Sequence, residues 1–275
     1  MKLIRKIKDN FKMDYYLLST KNVNPIEKIS FLFRKYFCIL TNKREIKYLG
    51  NYFYYDNRFS PAMLEGYPKE IENINKAVDF SKIKSVLDIG ANIGQFSYTL
   101  NKIYPLIQTY SFEPNKEIFP ILKKNSLNIS GIKIYNLGVG KRNEKRVFYF
   151  SPNSSPAGSF YKENMYQNDI RKNIKEIKVD IVNLDSKIIR KLGLLKKFDF
   201  VKIDVEGAEL EVLEYLKNIQ FDYVYIEVSI TKNMHAGLEA IKEVLQKNRG
   251  KAKLVYYDLP NKDSPCVNVI FSFKK

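Results

Sequence analysis

Two carboxylates and a lysine fall in one short run, Lys202-Ile203-Asp204-Val205-Glu206-Gly207, and these side chains are suited to moving a proton. The run follows an apolar stretch, Phe198 to Ile203, and precedes Leu210, Leu213 and Leu216 at helical spacing. It therefore sits where a parallel strand ends and a helix begins, the carboxyl edge at which open sheets bind ligands. In an extended chain alternate residues share a side, so Lys202, Asp204 and Glu206 should converge on one mouth. Glu227, closing the apolar run Phe221 to Val228, should face the same cleft. His235, the sole histidine, starts the following helical pattern and has a near-neutral ordinary pKa. These five are the candidate catalytic residues, each a base or charge partner for a group that must lose its proton. The competing reading of the run is local: Asp204 caps the helix while Glu206 and Glu209 complement its dipole.

A second run prepares a place for a nucleoside. Val86-Leu87-Asp88-Ile89 reads as a buried strand, Gly90-Ala91-Asn92-Ile93-Gly94 as a turn, and Phe96, Leu100 and Ile103 as one helix face. A dinucleotide fingerprint needs G-x-G-x-x-G so that a pyrophosphate can meet main-chain N–H groups. Here Asn92 stands where the second glycine belongs. Asp88 would also set a carboxylate against a phosphate, at a cost of several kcal/mol at low effective dielectric. A ligand with a cationic end gains from the same carboxylate. S-adenosylmethionine, which has an ammonium, a sulfonium and no phosphate, fits that requirement. Glu113, at the end of the next strand, is spaced to accept from both ribose hydroxyls.

The elements that must position these groups are legible in outline. Helices are expected over 3–20 and 25–40, a hairpin over 45–55 around Gly50-Asn51, and a helix from about Glu65 to Phe80. From Lys84 the pattern alternates strand and helix. Strands are expected at Gln108–Phe112, Ile132–Leu137, Val147–Phe150, Ile174–Val182, Phe198–Ile203 and Phe221–Val228. A terminal hairpin, Leu254–Tyr257 with Val267–Phe273, closes the set. The Ser-, Pro- and Asn-rich stretch from Ser151 to Asn168 reads as a loop able to close over an acceptor. The fold class is α/β: a doubly wound, mostly parallel, seven-stranded sheet with an N-terminal accessory region. The expected division is 1–80 for that region and 81–275 for the main domain.

The order of Val86-Leu87-Asp88-Ile89-Gly90-Ala91-Asn92-Ile93-Gly94, Ser111-Phe112-Glu113-Pro114-Asn115, Asn183-Leu184-Asp185 and Lys202-Ile203-Asp204-Val205-Glu206-Gly207-Ala208-Glu209 resembles FkbM-type methyltransferases. These are class I S-adenosylmethionine-dependent enzymes, and the likeness covers about Ser85 to Val228. It implies O-methylation of a hydroxyl on a sugar, glycolipid or secondary metabolite. It also implies that the turn Gly90 to Gly94 and Glu113 hold the cofactor. The expected cofactor contacts are thus Asp88, Gly90, Ala91, Asn92, Gly94, Glu113, Pro114, Asn115, Val139 and Asp204. The Asn/Asp-Pro-Pro-Tyr signature of amino-nitrogen acceptors is missing. Metal-dependent O-methyltransferases place an Asp-Asn pair where this chain has Glu227-Val228-Ser229, so no metal site is expected. Two other classes stay open: a nicotinamide oxidoreductase, and a non-catalytic glycan- or membrane-associated binding protein on a methyltransferase scaffold.

Composition bounds the rest. At 275 residues, 45% hydrophobic and 28% charged, the chain suits a soluble globular protein with an ordinary core. Ile29 to Leu40 is interrupted by Arg34-Lys35 and is too short to span a bilayer. Lacking a signal-peptide pattern, and with Cys38 and Cys266 far apart as free thiols, the chain is expected in the cytoplasm. The net charge is +17, and residues 1–50 carry twelve Lys/Arg against four acids, 12 − 4 = +8. That concentration reads either as a solvated helical face or as suited to peripheral contact with an anionic membrane through residues 1–50, or with an anionic glycan. No nucleic-acid motif accompanies it.

Overall fold

A computed structural model describes residues 13–152, 154–164, 173–229, 234–258 and 266–274. Residues 13–19 are helical, so the rest of the helix expected over 3–20 lies outside the described residues save Thr20, which is not helical. The next helix is Pro25–Thr41, with Pro25 in its first turn and the Asn24 side chain accepting from the Glu27 N–H. The hairpin pairs β1 (Glu45–Tyr48) with β2 (Asn51–Tyr54). Its turn falls at Leu49-Gly50, one residue earlier than expected. Both residues take positive φ, 48° and 90°, which matches the twist of a tight hairpin. The helix expected from Glu65 to Phe80 is a short 3₁₀ turn, Pro61–Glu65, followed by Gly66–Asn75. It stops early because the Asn75 side chain accepts from the Phe80 N–H and turns the chain.

The main domain runs through β3 (Ser85–Ile89), β4 (Gln108–Phe112) and β5 (Ile132–Tyr135). Next come β6 (Gly138–Val139), β7 (Glu144–Ser151), β8 (Ser154–Ser159) and β9 (Lys175–Val182). β10 (Lys197–Ile203), β11 (Gln220–Ser229), β12 (Lys253–Tyr257) and β13 (Cys266–Ser272) complete it. Seven strands form the sheet β12-β13-β11-β10-β3-β4-β5, in which β13 runs antiparallel to both neighbours. This is the expected doubly wound sheet. Its central strands are covered on both faces, which is why β3 is buried at every position and reads as a continuous apolar run broken only by Ser85 and Asp88.

One part departs from expectation. The strands foreseen at Val147–Phe150 and Ile174–Val182 do not join the main sheet; they belong to a separate sheet, β6-β9-β7-β8. Its fourth strand, β8, lies inside the segment expected to be loop. Phe148 and Phe150 alternate inward against Val179 and Ile181, with Phe160 packed beside them, so this sheet has an apolar cluster of its own. Tyr166 and Asn168 lie outside the described residues.

The N-terminal region shares a core with the main domain. Tyr48 and Phe53 pack on Tyr98 of the helix Gln95–Ile103, with ring centroids 5.8 and 5.0 Å apart. Asn125, buried on the helix Phe119–Ser126, brackets β2 by accepting from the Tyr54 N–H and donating to the Tyr54 carbonyl. It donates to the Ile93 carbonyl as well, tying the hairpin to the turn after β3.

Candidate active site

The turn after β3 is held by main-chain bonds that leave no room for a side chain at Gly90. The Gly90 and Ala91 N–H groups both donate to the Phe112 carbonyl, at 3.0 and 2.9 Å. Gly90, Asn92 and Gly94 have φ of 87°, 52° and 92°. Asn is the residue besides Gly that best tolerates this region, and here its Oδ1 also accepts from the Ile93 N–H. The Asp204 N–H donates to the Ile89 carbonyl, pulling the end of β10 against the turn. A Cβ at Gly90 would lie 1.7 Å from the Asp204 carbonyl oxygen. So the glycine is required by proximity as well as by φ.

Glu113 is buried at the end of β4, and its carboxylate joins two loops. One oxygen accepts from the Asn92 N–H at 2.9 Å, the other from the Asn115 N–H at 2.7 Å. A carboxylate has about four acceptor positions, so each oxygen retains a lone pair beside the cavity that Glu113, Pro114 and Asn115 help to line.

That cavity, of about 220 Å³, opens where the ends of β3, β4, β10 and β11 meet. Gly90, Ala91 and Asn92 line one side; Lys202, Asp204, Glu206 and Glu227 line the other. The convergence expected of Lys202, Asp204 and Glu206 is present, but an extended chain does not produce it. β10 ends at Ile203, and Glu206 is turned inward by φ values of 52° at Glu206 and 103° at Gly207. A glutamate in the left-handed region is a strained backbone, the kind that clusters at ligand sites. Ser159 of β8 braces it by donating to the Glu206 carbonyl at 2.7 Å.

Several expected contacts are placed elsewhere. Asp88 is fully buried beneath the turn rather than on the cavity wall. Its Oδ2 accepts from Ser97, and its Oδ1 lies 3.9 Å from Lys202 Nζ. Lys202 Nζ donates to Asp204 Oδ2 at 2.8 Å, so Asp88 acts on the cavity through this lysine. Val139 packs in the main core because pairing of β6 with β9 turns it away from the cavity. Gly94 starts the helix Gln95–Ile103 at a point where a Cβ would meet Leu122 at 2.8 Å. His235 lies in the helix Met234–Arg249, and its side chain is outside the described part.

Electrostatics set the protonation of this wall. Among the described residues its charged side chains are four carboxyls, Glu113, Asp204, Glu206 and Glu227, and one cation, Lys202. Burial pulls the Lys202 ammonium down, but Asp204 and Asp88 outweigh it and hold lysine above its ordinary value. Asp204, then burial, lifts Glu227 to about 8. Burial lifts Glu113 to about 7 against the two N–H bonds, and lifts Glu206 well above its usual range, with Asp204 and Glu227 adding to the effect.

Linkage turns these shifts into a prediction. A carboxyl held above its ordinary 4.5 keeps, in the folded chain, a proton that the unfolded chain has released. Its contribution to stability is complete below pH 4.5 and is lost as pH climbs towards about 8. Thermal melting should therefore fall between pH 5.5 and 8.5, and Glu227→Gln should flatten that fall. An unchanged slope in the variant would show that Glu227 titrates normally.

Part of the wall has no signal in the catalytic motifs. Met63 and Tyr67 come from the N-terminal region, and Phe148, Gly158 and Phe160 from the second sheet. Gln95 donates to the Tyr67 hydroxyl at 3.3 Å, and Tyr225 of β11 donates to Glu70 on the same helix at 3.0 Å. The apolar spacing of Ile71 and Ile74 reveals a helix there; nothing in it reveals which cavity the helix borders.

Comparison with known proteins is consistent with this geometry. Residues 88–251 match the methyltransferase FkbM domain. Methyltransferase 1 of Beauveria bassiana is 27% identical over 196 residues, covering 66% of this chain and 78% of that protein. Methyltransferase sdnD of Sordaria araneosa is 32% identical over 152 residues, covering 47% and 59%. Hexuronic acid methyltransferase AglP of Haloferax volcanii is 28% identical over 152 residues, covering 55% and 56%. The chain thus spans little more than half the length of the last two. Aeropyrum pernix fibrillarin, solved with natively bound S-adenosyl-L-methionine, aligns with a TM-score of 0.45 and 12% identity over 74% of each chain.

Proposed function

The chain belongs to the methyltransferase FkbM family, and from that premise we propose that it methylates a hydroxyl of a glycan, glycolipid or similar polyhydroxylated acceptor. The methyl donor is S-adenosylmethionine, which supplies an electrophilic methyl on a sulfonium. The observation that carries the reading is the make-up of the cavity wall, four carboxyls against one lysine beside a turn with no side chain at Gly90. Asp204 and burial hold Glu227 at about 8, and burial and Asp204 hold Glu206 well above its usual range. These carboxyls thus keep protons that a donor cationic at one end favours releasing, whereas a pyrophosphate meets carboxyls and one lysine already paired to Asp204. Glu113, with acceptor capacity left on each oxygen, suits the ribose hydroxyls at the other end.

The chain's own residues have separable tasks. The Gly90–Asn92 turn and Glu113 orient the donor against the ends of β3 and β4. Asp204, Glu206 and Glu227 face the space left for an acceptor, and an alcohol there needs a base within hydrogen-bond reach. Lys202 keeps Asp204 in place through the 2.8 Å bond. Tyr67 and Phe160, which line the cavity, serve to exclude water from it. A sugar acceptor is supported by the relative described as a hexuronic acid methyltransferase.

Calorimetric titration tests the donor. Adenosylhomocysteine should bind, and NAD should give no heat above dilution; the reverse pattern would mean an oxidoreductase. Transfer of labelled methyl to a panel of uronic and neutral oligosaccharides tests the acceptor. Binding of adenosylhomocysteine with no transfer to any hydroxyl compound would favour a non-catalytic binding protein.

A further inference from the structure

The helix Pro25–Thr41 has two faces, and one of them, largely apolar, is exposed among the described residues. The inner face holds Phe31, Lys35 and Cys38, all buried, with Lys35 Nζ paired to Asp14 and, at 2.9 Å, to Glu65. That buried charge cluster clamps the helix to the body of the protein. Along the other face Ile26, Phe33 and Leu40 are 80%, 76% and 85% exposed, and Ile29 and Phe37 are exposed as well. The spacing of these positions, three or four residues apart, makes them one continuous apolar ridge. A ridge of this kind on a helix that is firmly held is a docking surface rather than scattered surface hydrophobicity.

We propose that this ridge seats on an anionic phospholipid surface. The charge around it selects that occupant. Lys43 Nζ lies 5.2 Å from the Phe37 ring, and Lys43, Arg44 and Lys47 are exposed just past the end of the helix. In sequence, the chain ahead of the helix carries Lys2, Arg5, Lys6, Lys8 and Lys12 against Asp9, within a segment of 12 − 4 = +8 over residues 1–50. Two copies meeting ridge to ridge would bring two such segments together, whereas anionic headgroups neutralise them. Aromatic and aliphatic side chains on one face with lysine and arginine at the flank are the pattern of a helix lying in the interface plane. Among the described residues no helix is long and apolar enough to cross the membrane, so contact would be with one leaflet.

Vesicle flotation of the full chain tests this without reference to the reaction. Wild type should float with phosphatidylglycerol–phosphatidylcholine vesicles, less with phosphatidylcholine alone, and less at high salt. The double variant Phe33→Asp/Leu40→Asp should lose about tenfold or more of its partitioning while keeping its melting temperature, since both side chains are solvent-facing. Lys43→Glu/Arg44→Glu should weaken binding to anionic vesicles and leave the weak phosphatidylcholine partitioning as it was. Equal flotation of Phe33→Asp/Leu40→Asp and wild type would overturn the assignment. So would a wild type that stays with the soluble fraction, or a sedimenting dimer that Phe33→Asp/Leu40→Asp dissolves, which would give the ridge to a second copy.

Discussion

Asp204→Asn and Glu206→Gln are each expected to lower methyl transfer by about 10²–10⁴, the usual yield of a positioned acid or base. Both substitutions keep the shape of the side chain and remove its capacity to carry a proton away. Asp204 accepts from Lys202, and an asparagine oxygen still can, so the lysine keeps a partner there and keeps Asp88 nearby. Glu206 is turned into the cavity by its own backbone, which the Ser159 hydroxyl braces, and glutamine retains both features. The fold should therefore survive in both. Adenosylhomocysteine affinity separates the roles. In Glu206→Gln it should stay close to wild type while turnover falls. A parallel fall in affinity and rate would move Glu206 from catalysis to donor binding. Wild-type turnover in both variants would remove the β10 turn from the mechanism.

Gly90→Ala should have the largest effect on donor binding of any single methyl added to this chain. Two costs coincide there. A φ of 87° is unfavourable for an L side chain by about 1–2 kcal/mol. In addition the new Cβ would stand 1.7 Å from the Asp204 carbonyl oxygen, which is main chain and cannot rotate away. Relief requires the end of β10 to withdraw from the turn, breaking the Asp204 N–H bond to Ile89 and spreading the two halves of the cavity. The expected result is destabilisation of about 3 kcal/mol or more and loss of measurable adenosylhomocysteine binding. Gly193→Ala is the control: its φ is 64°, and an added Cβ there meets nothing within 4 Å. It should cost only the left-handed φ penalty of about 1–2 kcal/mol and leave binding intact. Equal behaviour of the two variants would mean that the turn and β10 are not packed as described.

Much of this site is legible in the residue order alone. The central strands β3 and β10 show as largely apolar runs because both faces of each are covered, so no regular polar alternation marks an outer side. The turn after β3 shows through Gly90, Asn92 and Gly94, residue types that tolerate positive φ. Glu113, just past β4, and Glu227, two residues before the end of β11, show because they lie at the carboxyl edge of the sheet, which has one spatial meaning in such a fold. The second sheet is harder to read. Phe148 and Phe150 alternate as any half-buried strand does, and alternation cannot say which sheet a strand joins.

By itself, then, the sequence determined the main sheet, the glycine turn and the set of acidic residues at the strand ends. Those features depend on local backbone preference and on burial of each segment's own side chains, which are written into neighbouring residues. Tertiary structure alone decided where the charges act. Asp88, which its place in the motif sets beside the ligand, is buried behind Lys202, and the carboxyls that line the cavity are those of Asp204, Glu206, Glu227 and Glu113. It also decided that Tyr67 and Met63 border the cavity and that one apolar face of the helix Pro25–Thr41 is exposed among the described residues. The physical reason is common to all three. Each is settled by contacts between residues far apart in the chain, such as Lys202 with Asp88 or Gln95 with Tyr67, and local spacing holds no record of which distant surfaces meet.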